Sequence, residues 1–466
     1  MTTDVSAMLS PQDFIDQNPM SRRQWRIVVL GLLMMVAEGL DSTVVALVYP
    51  KIVKEWGTPL ATVTATVALG VLAMVVGGVA VGPLADRYGR KVVAVAGISV
   101  FGLGTACMGL AHNIGAFAGL RIAACLGLGA VLPAVLALVA DWTPVKRRSQ
   151  TVTLAFAGVA VGTTVGGILA SALIPAYGWP TLMGVCGLAP LLLIPAIVLF
   201  VPESVSVLAA RRQSVSDVRN ALCAVRPDQD LSGVVLDQSA VRRRPRSATR
   251  VILSRDFALT TVLLWLCFFV GLGVVFVILS YLPLLVERMG LTTAQAGAAI
   301  AVFGGASLVG ELAVAFALKR FDRFRVLAAL WALGVFGLGA AALWAVQFAA
   351  LLVAAFVLGL CLPAANAALQ AVAAVAYSPS ARATGVSWAN GMGRLGALAS
   401  GLFGGMMVQA HWTLATVLLV LTVPVGLGIL ATLTLHARSR GDRAEPYSGP
   451  RPLPAPAPEG SVPSSV

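Results

Sequence analysis

The chain has 466 residues, of which 58% are hydrophobic and only 11% charged, and its mean hydropathy is +0.89. These values exclude a soluble globular protein, because apolar runs long enough to cross a bilayer, about 20 residues each, recur along almost the whole length. The net charge of +13 would suit a nucleic-acid-binding protein, but the basic residues are confined mainly to the loops at one end of the predicted helices. The composition therefore predicts an integral membrane protein in a lipid bilayer, with no nucleic-acid partner.

Twelve apolar runs predict twelve transmembrane helices, because a segment in lipid must satisfy its own backbone hydrogen bonds. The predicted fold class is an all-α membrane protein of two six-helix bundles. The runs lie at 24–49, 61–85, 91–111, 115–140, 151–176, 181–202, 256–286, 294–318, 325–346, 348–376, 386–409 and 412–436. Six helices, a long polar loop and six more helices are typical of a two-repeat transporter.

The same pattern predicts the domain organisation. It comprises a cytoplasmic N-terminal tail 1–23, an N-terminal bundle 24–202, a central cytoplasmic loop 203–255, a C-terminal bundle 256–436 and a Pro-rich cytoplasmic tail 437–466. Of the 33 Lys and Arg residues, 28 lie in the two tails and in the loops that follow even-numbered helices. By the positive-inside rule, both termini are therefore predicted to be cytoplasmic.

Two carboxylates lie near the middle of the first apolar run, in the stretch MMVAEGLDSTVV at 34–45. An acid at the centre of a membrane helix costs about 2.5–3.5 kcal/mol on translocon scales. Glu38 and Asp41 are three residues apart and share a helix face, so each opposes the ionisation of the other. At least one of them can then exchange a proton near neutral pH. Alternatively, either acid could form a permanent ion pair with a distant arginine.

Three further ionisable residues lie inside apolar runs. Arg121 and Arg394 must each face a cavity or a partner, and a guanidinium can bind a carboxylate through two hydrogen bonds. Glu311 in the eighth run is a second candidate for proton coupling, although it could instead pair with Lys319.

The loop GPLADRYGRK at 82–91 resembles the signature loop of the major facilitator superfamily, and LRIAACLGLGA at 120–130 resembles an element in the fourth helix of that superfamily. The resemblance implies alternating access between two bundles, with a charged latch on the cytoplasmic side. Asp86 would face the N-terminus of a helix in the other half and pair with basic residues. The predicted latch residues are Gly82, Asp86, Arg87, Gly89, Arg90, Lys91, Asp141 and Arg382.

Three more stretches resemble aromatic acid:H+ symporters, a family within that superfamily. These are EGLD at 38–41, ADWTPVKRRS at 140–149 and ARATGVSWANGMGRLGALASGLFGG at 381–405. The resemblance implies proton-coupled import of a hydroxybenzoate-type carboxylate across the inner membrane by a monomer, with no enzyme activity, cofactor or metal. The sequence departs from the family pattern in having Glu38 for aspartate, Ala134 for an expected asparagine and Lys319 for an acid.

Arg121 and Arg394 are the predicted ligands of the substrate carboxylate, although Arg394 could equally be a helix-packing residue paired with a carbonyl. Asn366, Trp388 and Tyr281 are candidates for the walls and polar contacts of the pocket, and each aromatic residue could instead be ordinary packing.

Other functions stay open at this point. The segment GVAVGTTVGG at 158–167 has Thr163 where drug antiporters carry a proline, which favours symport. The alternatives are a carrier for another organic acid, a drug or metabolite exporter, and a membrane receptor for an aromatic acid. A membrane enzyme is disfavoured, because the three histidines lie far apart at helix ends.

Overall fold

The computed structural model describes residues 11–204, 207–208, 215–225, 248–344, 347–377 and 382–444. This part of the chain is helical throughout and contains no strand. The helices are α1 Pro11–Gln17, α2 Arg22–Trp56, α3 Leu60–Tyr88, α4 Arg90–Met108, α5 Ile114–Asp141, α6 Val145–Phe156, α7 Gly158–Leu191, α8 Leu193–Phe200, α9 Val215–Val225, α10 Ala248–Ile252, α11 Arg255–Arg288, α12 Thr293–Arg320, α13 Arg323–Trp344, α14 Phe348–Ala376, α15 Arg382–Gln409 and α16 Leu414–Ala444.

Each of the twelve predicted apolar runs corresponds to helix. Ten stretches of the described chain are long and apolar enough to cross a membrane, and one of these, Val145–Phe200, contains two crossings. They are separated at Gly178, whose φ of 80° and ψ of 167° break the helical path of α7. The remaining crossing, α15, is 28 residues long but more polar. The predicted all-α membrane fold with twelve crossings is therefore confirmed.

The ends of the first crossing are determined by local chemistry. The Ser21 hydroxyl accepts a hydrogen bond from the Gln24 amide at 3.1 Å, and the Gln24 side chain accepts one from the Ser21 amide at 2.7 Å, which together form a capping box. The helix ends at Gly57, which adopts the left-handed conformation. We call the side of the molecule on which α2 begins and α16 ends the terminal side, and the opposite side the distal side.

Short helices lie at the terminal side, within segments predicted as tail and loop. In α1, Phe14 and Ile15 are buried, and in α9 of the central segment Val218 and Leu222 are buried. All four belong to the same apolar cluster, beneath the N-terminal bundle. The Asp16 carboxylate accepts a hydrogen bond from the Val145 amide at 2.8 Å and so caps the start of α6. The described parts of these segments are thus folded against the bundle. Most of the central loop and the Pro-rich end of the tail lie outside the described residues.

The two bundles, α2–α8 and α11–α16, pack closely on the distal side. Gly297 of α12 contacts the backbone of Gly167 in α7, and Gly405 of α15 lies directly on Thr64 of α3. Gln409 also donates a hydrogen bond to the Thr64 hydroxyl at 3.3 Å. One continuous apolar cluster runs from the C-terminal bundle into the distal half of the N-terminal bundle, whereas the terminal half of the N-terminal bundle has a separate cluster. The distal side is therefore closed.

The interface is looser on the terminal side. A β-carbon added at Gly82 of α3 or at Gly391 of α15 would meet no atom within 4 Å. Gln370, in the last turns of α14, is exposed although it lies within a membrane crossing. We interpret these open positions as the mouth of a central cleft between the bundles on the terminal side.

Candidate functional site

Asp41 is fully buried in the N-terminal bundle and has its charge compensated there. Its Oδ2 lies 2.6 Å from Arg121 Nη1 of α5, and its Oδ1 accepts a hydrogen bond of 2.6 Å from the Thr105 hydroxyl of α4. A buried carboxylate needs both a counter-charge and hydrogen bonds to remain ionised at low cost, and this one has both. Asp41, Arg121 and Thr105 therefore form a saturated ion pair that joins three helices.

Glu38 lies about one turn nearer the terminal side on the same helix, and its environment differs. It is 7% exposed, and its Oε2 has no hydrogen-bond partner within the described part of the chain. The guanidinium of Arg394 of α15, in the other bundle, acts on it electrostatically but forms no ion pair with it. The two acids predicted to act as a pair thus face different arginines, one within the bundle and one across the interface.

Arg394 crosses from the C-terminal bundle to the N-terminal bundle over the backbone of α3. Its Nη1 lies 3.5 Å from the Met74 carbonyl oxygen. A β-carbon at Gly78 would overlap that same nitrogen, so the guanidinium occupies space that only glycine leaves free. The only sequence signal for this contact is the GG pair at 77–78, and we did not predict it.

A small cavity lies beside Arg121, where the two bundles meet. It has a volume of about 30 Å³ and is lined by Ser42, Tyr49 and Cys125 from the N-terminal bundle and by Phe276 and Ser280 from α11. This volume holds about one water molecule, so the cavity is closed to an aromatic ring in the observed conformation. Its lining nevertheless places hydroxyl groups of both bundles next to a guanidinium.

The other predicted pocket residues lie apart from these charges. Tyr281 is 1% exposed, and its hydroxyl donates to the Gly401 carbonyl in the contact between α11 and α15. Trp388 is 46% exposed and stacks on Trp265 with ring centroids 5.8 Å apart. It lies about 120° around α15 from Arg394. The structure therefore does not bring Tyr281 or Trp388 to the arginines, because each is used in helix packing.

Asn366 lies on α14 and Glu311 on α12, both in the C-terminal bundle. The Asn366 side chain packs on Gly271 of α11 and donates to the Leu362 carbonyl at 3.2 Å, and its Oδ1 is buried without a partner among the described residues. Glu311 is half-buried on α12, almost two turns toward the terminal side from Gly304, which contacts α7. Glu311 thus lies on the cleft-facing side of α12, and neither Asp41 nor Arg394 is among the charges that act on it.

The predicted latch is partly assembled on the terminal side. Arg90 Nη1 lies 2.5 Å from Asp141 Oδ2, and the Ser204 hydroxyl donates to that same oxygen. The Glu203 carboxylate accepts hydrogen bonds from the amides of Arg90 at 2.8 Å and Lys91 at 3.2 Å, at the N-terminus of α4.

The remaining latch residues surround this network. Gly89 precedes α4 with a φ of 103°, and the Arg87 guanidinium lies 5.3 Å from the centroid of the Tyr88 ring. A β-carbon added at Gly82 would meet no atom within 4 Å in the described part of the chain. The side chains of Asp86 and Arg382 lie outside the described residues. Sequence reasoning missed Glu203 and Ser204, for which the only signal was the acid that follows the sixth crossing.

Twelve crossings in two bundles, closed on one side around buried charges, define the protein as a membrane carrier. The sequence profile of the Major Facilitator Superfamily matches residues 31–330 and 293–462. The chain belongs to the major facilitator superfamily and is a multi-pass protein of the inner membrane.

Curated relatives align over nearly the whole chain. The 4-hydroxybenzoate transporter PcaK of Pseudomonas putida is 34% identical over 443 residues, which cover 94% of this chain and 98% of the relative. The gallate transporter of Pseudomonas putida is 32% identical over 444 residues, with 94% and 98% coverage. The gentisate transporter of Corynebacterium glutamicum is 26% identical over 398 residues, with 84% and 83% coverage. These relatives are transporters, as expected for a carrier that is not an enzyme.

Solved structures share the fold. A D-xylose-proton symporter superposes with a TM-score of 0.64 at 17% identity, covering 88% of this chain and 97% of that structure. A bacterial homologue of the lysosomal transporter Spinster, in an inward-facing and unoccupied conformation, gives a TM-score of 0.63 at 15% identity, with 91% and 98% coverage.

Proposed function

We propose that this carrier imports a hydroxybenzoate-type aromatic carboxylate together with a proton, by alternating access. The transported compounds named for its relatives, 4-hydroxybenzoate, gallate and gentisate, support the substrate class. The observation that carries the proposal is the buried Glu38 carboxylate, which has an oxygen without a hydrogen-bond partner in the described chain and lies beside an Asp41–Arg121 pair that is already saturated. The guanidinium of Arg394 reaches α3 of the same bundle from the other side of the interface.

The two acids have different roles in this proposal. Asp41 holds Arg121 in place, because its two oxygens already accept hydrogen bonds from that guanidinium and from the Thr105 hydroxyl. Glu38 is the group that exchanges the proton, because one of its oxygens is buried without a hydrogen bond in the described chain. Among the described residues, the opposite charge that acts on it belongs to Arg394 of the other bundle. Glu311 remains a second candidate for this role.

Proton and substrate are coupled because two carboxylates compete for one guanidinium. When Glu38 is protonated, Arg394 is free to bind the carboxylate of the substrate, and the interface carries no uncompensated charge while the bundles rock. When the proton leaves on the inner side, the Glu38 anion attracts Arg394 again and displaces the substrate. One proton accompanies each monoanion, so the inward proton gradient drives uptake.

The sidedness of the cycle follows from the positive-inside rule, which places both termini in the cytoplasm. The closed distal side is then periplasmic, and the cleft that opens at the terminal side faces the cytoplasm. We assign the observed conformation to the inward-facing state of a monomer. The Arg90–Asp141–Ser204 network, with Asp86 and Arg382, acts as a latch at the cytoplasmic ends of the helices.

Uptake into proteoliposomes tests the proposal. Labelled 4-hydroxybenzoate, protocatechuate, gallate, gentisate and benzoate are offered with an inward pH gradient, with a protonophore as control. We expect accumulation of at least one hydroxylated acid above its equilibrium level, and collapse of that accumulation with the protonophore. Accumulation that persists without a proton gradient contradicts the coupling, and absence of uptake for every acid contradicts the substrate class.

A further inference from the structure

A second cavity lies at the distal ends of the helices of the C-terminal bundle. It has a volume of about 750 Å³, and its lining comes from the ends of α11 and α13, the turn before α16 and the first residues of α16. All of these elements belong to the C-terminal bundle, so the cavity is separate from the charges at the interface. Pockets of roughly 300–1,000 Å³ are typical of ligand sites, and this one therefore has room for a ligand of its own.

Arg288, the last residue of α11, supplies a positive charge to the lining. Its Nη1 donates a hydrogen bond to the Val408 carbonyl oxygen of α15 at 2.9 Å, and it forms no ion pair with a carboxylate of the described chain. The adjacent acid, Glu287, is engaged by the Thr293 hydroxyl at 2.6 Å and by Lys51 Nζ of the other bundle at 3.9 Å. A guanidinium has five N–H donors, so Arg288 keeps donors and a full charge for an anion in the cavity.

The turn after α15 adds a histidine to the same lining. The Trp412 amide donates to the Met407 carbonyl oxygen at 3.0 Å and the His411 amide to the Val408 carbonyl oxygen at 3.1 Å, which is the pattern of a Schellman motif. His411 occupies the left-handed position of this motif with a φ of 58°, where glycine is usual because a β-carbon is strained. The turn thus places an imidazole beside the cavity at a position where the backbone favours glycine.

The cavity continues onto an apolar stripe of α16. Ala415 lines the cavity, and the residues that follow it at intervals of four, Leu419, Val423 and Leu427, are 48%, 64% and 45% exposed. This spacing places the four side chains on one face of the helix, over a length of about 18 Å, which is close to the roughly 15 Å of hydrocarbon in one leaflet. Trp344, 67% exposed at the end of α13, marks the level of the membrane interface, where tryptophan is enriched. The cavity is therefore at headgroup level, above a surface that contacts acyl chains.

We infer that this cavity binds an anionic phospholipid of the distal leaflet, with its phosphate at Arg288 and His411 and one acyl chain along the α16 stripe. The charge favours an anionic lipid, because the lining contains two basic side chains and no acid among its described residues. The stripe favours a lipid over a soluble anion, because a soluble anion would leave the apolar surface unused. Since Arg288 also donates to Val408, the bound lipid would hold the distal ends of α11 and α15 together.

The test measures lipid binding to the purified full-length protein in detergent by native mass spectrometry. Phosphatidylglycerol and phosphatidylcholine with the same acyl chains are titrated, and glycerol 3-phosphate serves as the soluble anion. The variants are Arg288→Gln and His411→Gly, and the glycine suits the left-handed turn, so the second variant should fold. Lys54→Gln is the matched control, because it removes an exposed positive charge at the distal end of α2, in the other bundle.

Wild type should bind phosphatidylglycerol about fivefold more tightly than phosphatidylcholine. Arg288→Gln should weaken phosphatidylglycerol binding about tenfold, His411→Gly should weaken it about fivefold, and Lys54→Gln should bind like wild type. Equal binding of the two lipids overturns the inference, and so does undiminished phosphatidylglycerol binding in His411→Gly or Arg288→Gln. An equal loss in Lys54→Gln would show that the lipid responds only to overall charge, and displacement of the lipid by glycerol 3-phosphate would show a site for a soluble anion; either result also overturns it.

Discussion

Replacing Glu38 by glutamine removes the carboxylate to which we assign the proton while keeping the size of the side chain. We expect Glu38→Gln to abolish gradient-driven accumulation and to retain exchange of substrate across the membrane. The physical reason is that a neutral amide resembles protonated Glu38, so the substrate still binds Arg394. The variant cannot release a proton on the inner side, and the gradient therefore performs no work on the substrate.

The size of the effect follows from the number of exchangeable protons at the site. In the proposed mechanism Asp41 is held by Arg121 and Thr105 and Glu38 exchanges the proton, so the expected stoichiometry is one. One proton per monoanion is electroneutral, and each pH unit contributes about 1.4 kcal/mol, or a tenfold accumulation ratio. The wild type should therefore reach about tenfold accumulation at a gradient of one pH unit, and Glu38→Gln a ratio near unity.

The assay compares net uptake with counterflow in the same proteoliposomes, at several imposed gradients. Glu38→Asp is the matched control, because it keeps a titratable carboxylate one methylene shorter and should remain coupled. An accumulation ratio that rises about a hundredfold per pH unit would show two coupled protons and contradict our assignment of Asp41. Glu38→Gln with undiminished accumulation would move the proton site elsewhere, with Glu311 as the next candidate.

Three further predictions follow from other contacts. Asp41→Asn leaves a buried guanidinium uncompensated and should lower stability by about 3–5 kcal/mol, measured by thermal unfolding in detergent; an unchanged midpoint would contradict the saturated pair. Gly78→Ala places a methyl group in the space of the α15 guanidinium and should raise KM about tenfold, for a cost of about 1–3 kcal/mol, whereas Gly426→Ala of α16, in open space, should transport normally. The backbones of Ala68 and Gly401 lie within disulfide reach on the distal side, so the double variant Ala68→Cys with Gly401→Cys can be cross-linked. Transport should stop when the two cysteines are oxidised and return on reduction. Transport by the oxidised protein would show that the distal side does not open.

Much of the fold was predictable because its determinants are local. Length and hydropathy are enough to place a crossing, and the crossings of the structure agree with the twelve apolar runs. The boundary at Gly178 is also set locally, because a positive φ at this glycine turns the chain between two crossings that otherwise form one continuous run. The buried charges were also visible, because an ionisable residue in an apolar run must have a role.

The composition of the site was only partly predictable. Glu38, Asp41, Arg121 and Arg394 stood out as ionisable residues within apolar runs, but two acids on one helix face suggested one shared environment. Trp388 and Asn390 are two residues apart on α15, and sequence reasoning chose the tryptophan although the amide lies on the face of Arg394. These helices are apolar on most faces, so periodicity does not indicate which face borders the cleft.

The sequence by itself therefore determined that this is a twelve-helix membrane protein and which charges lie inside its crossings, because hydropathy and helix length act within a single segment. Only the tertiary structure decided the partner of each charge. Asp41 meets Arg121 and Thr105 through packing within one bundle, and the Arg394 guanidinium of the other bundle passes over α3 because Gly78 leaves room for it. Such pairings depend on the rotation and docking of helices that are distant in the chain, which no local pattern encodes.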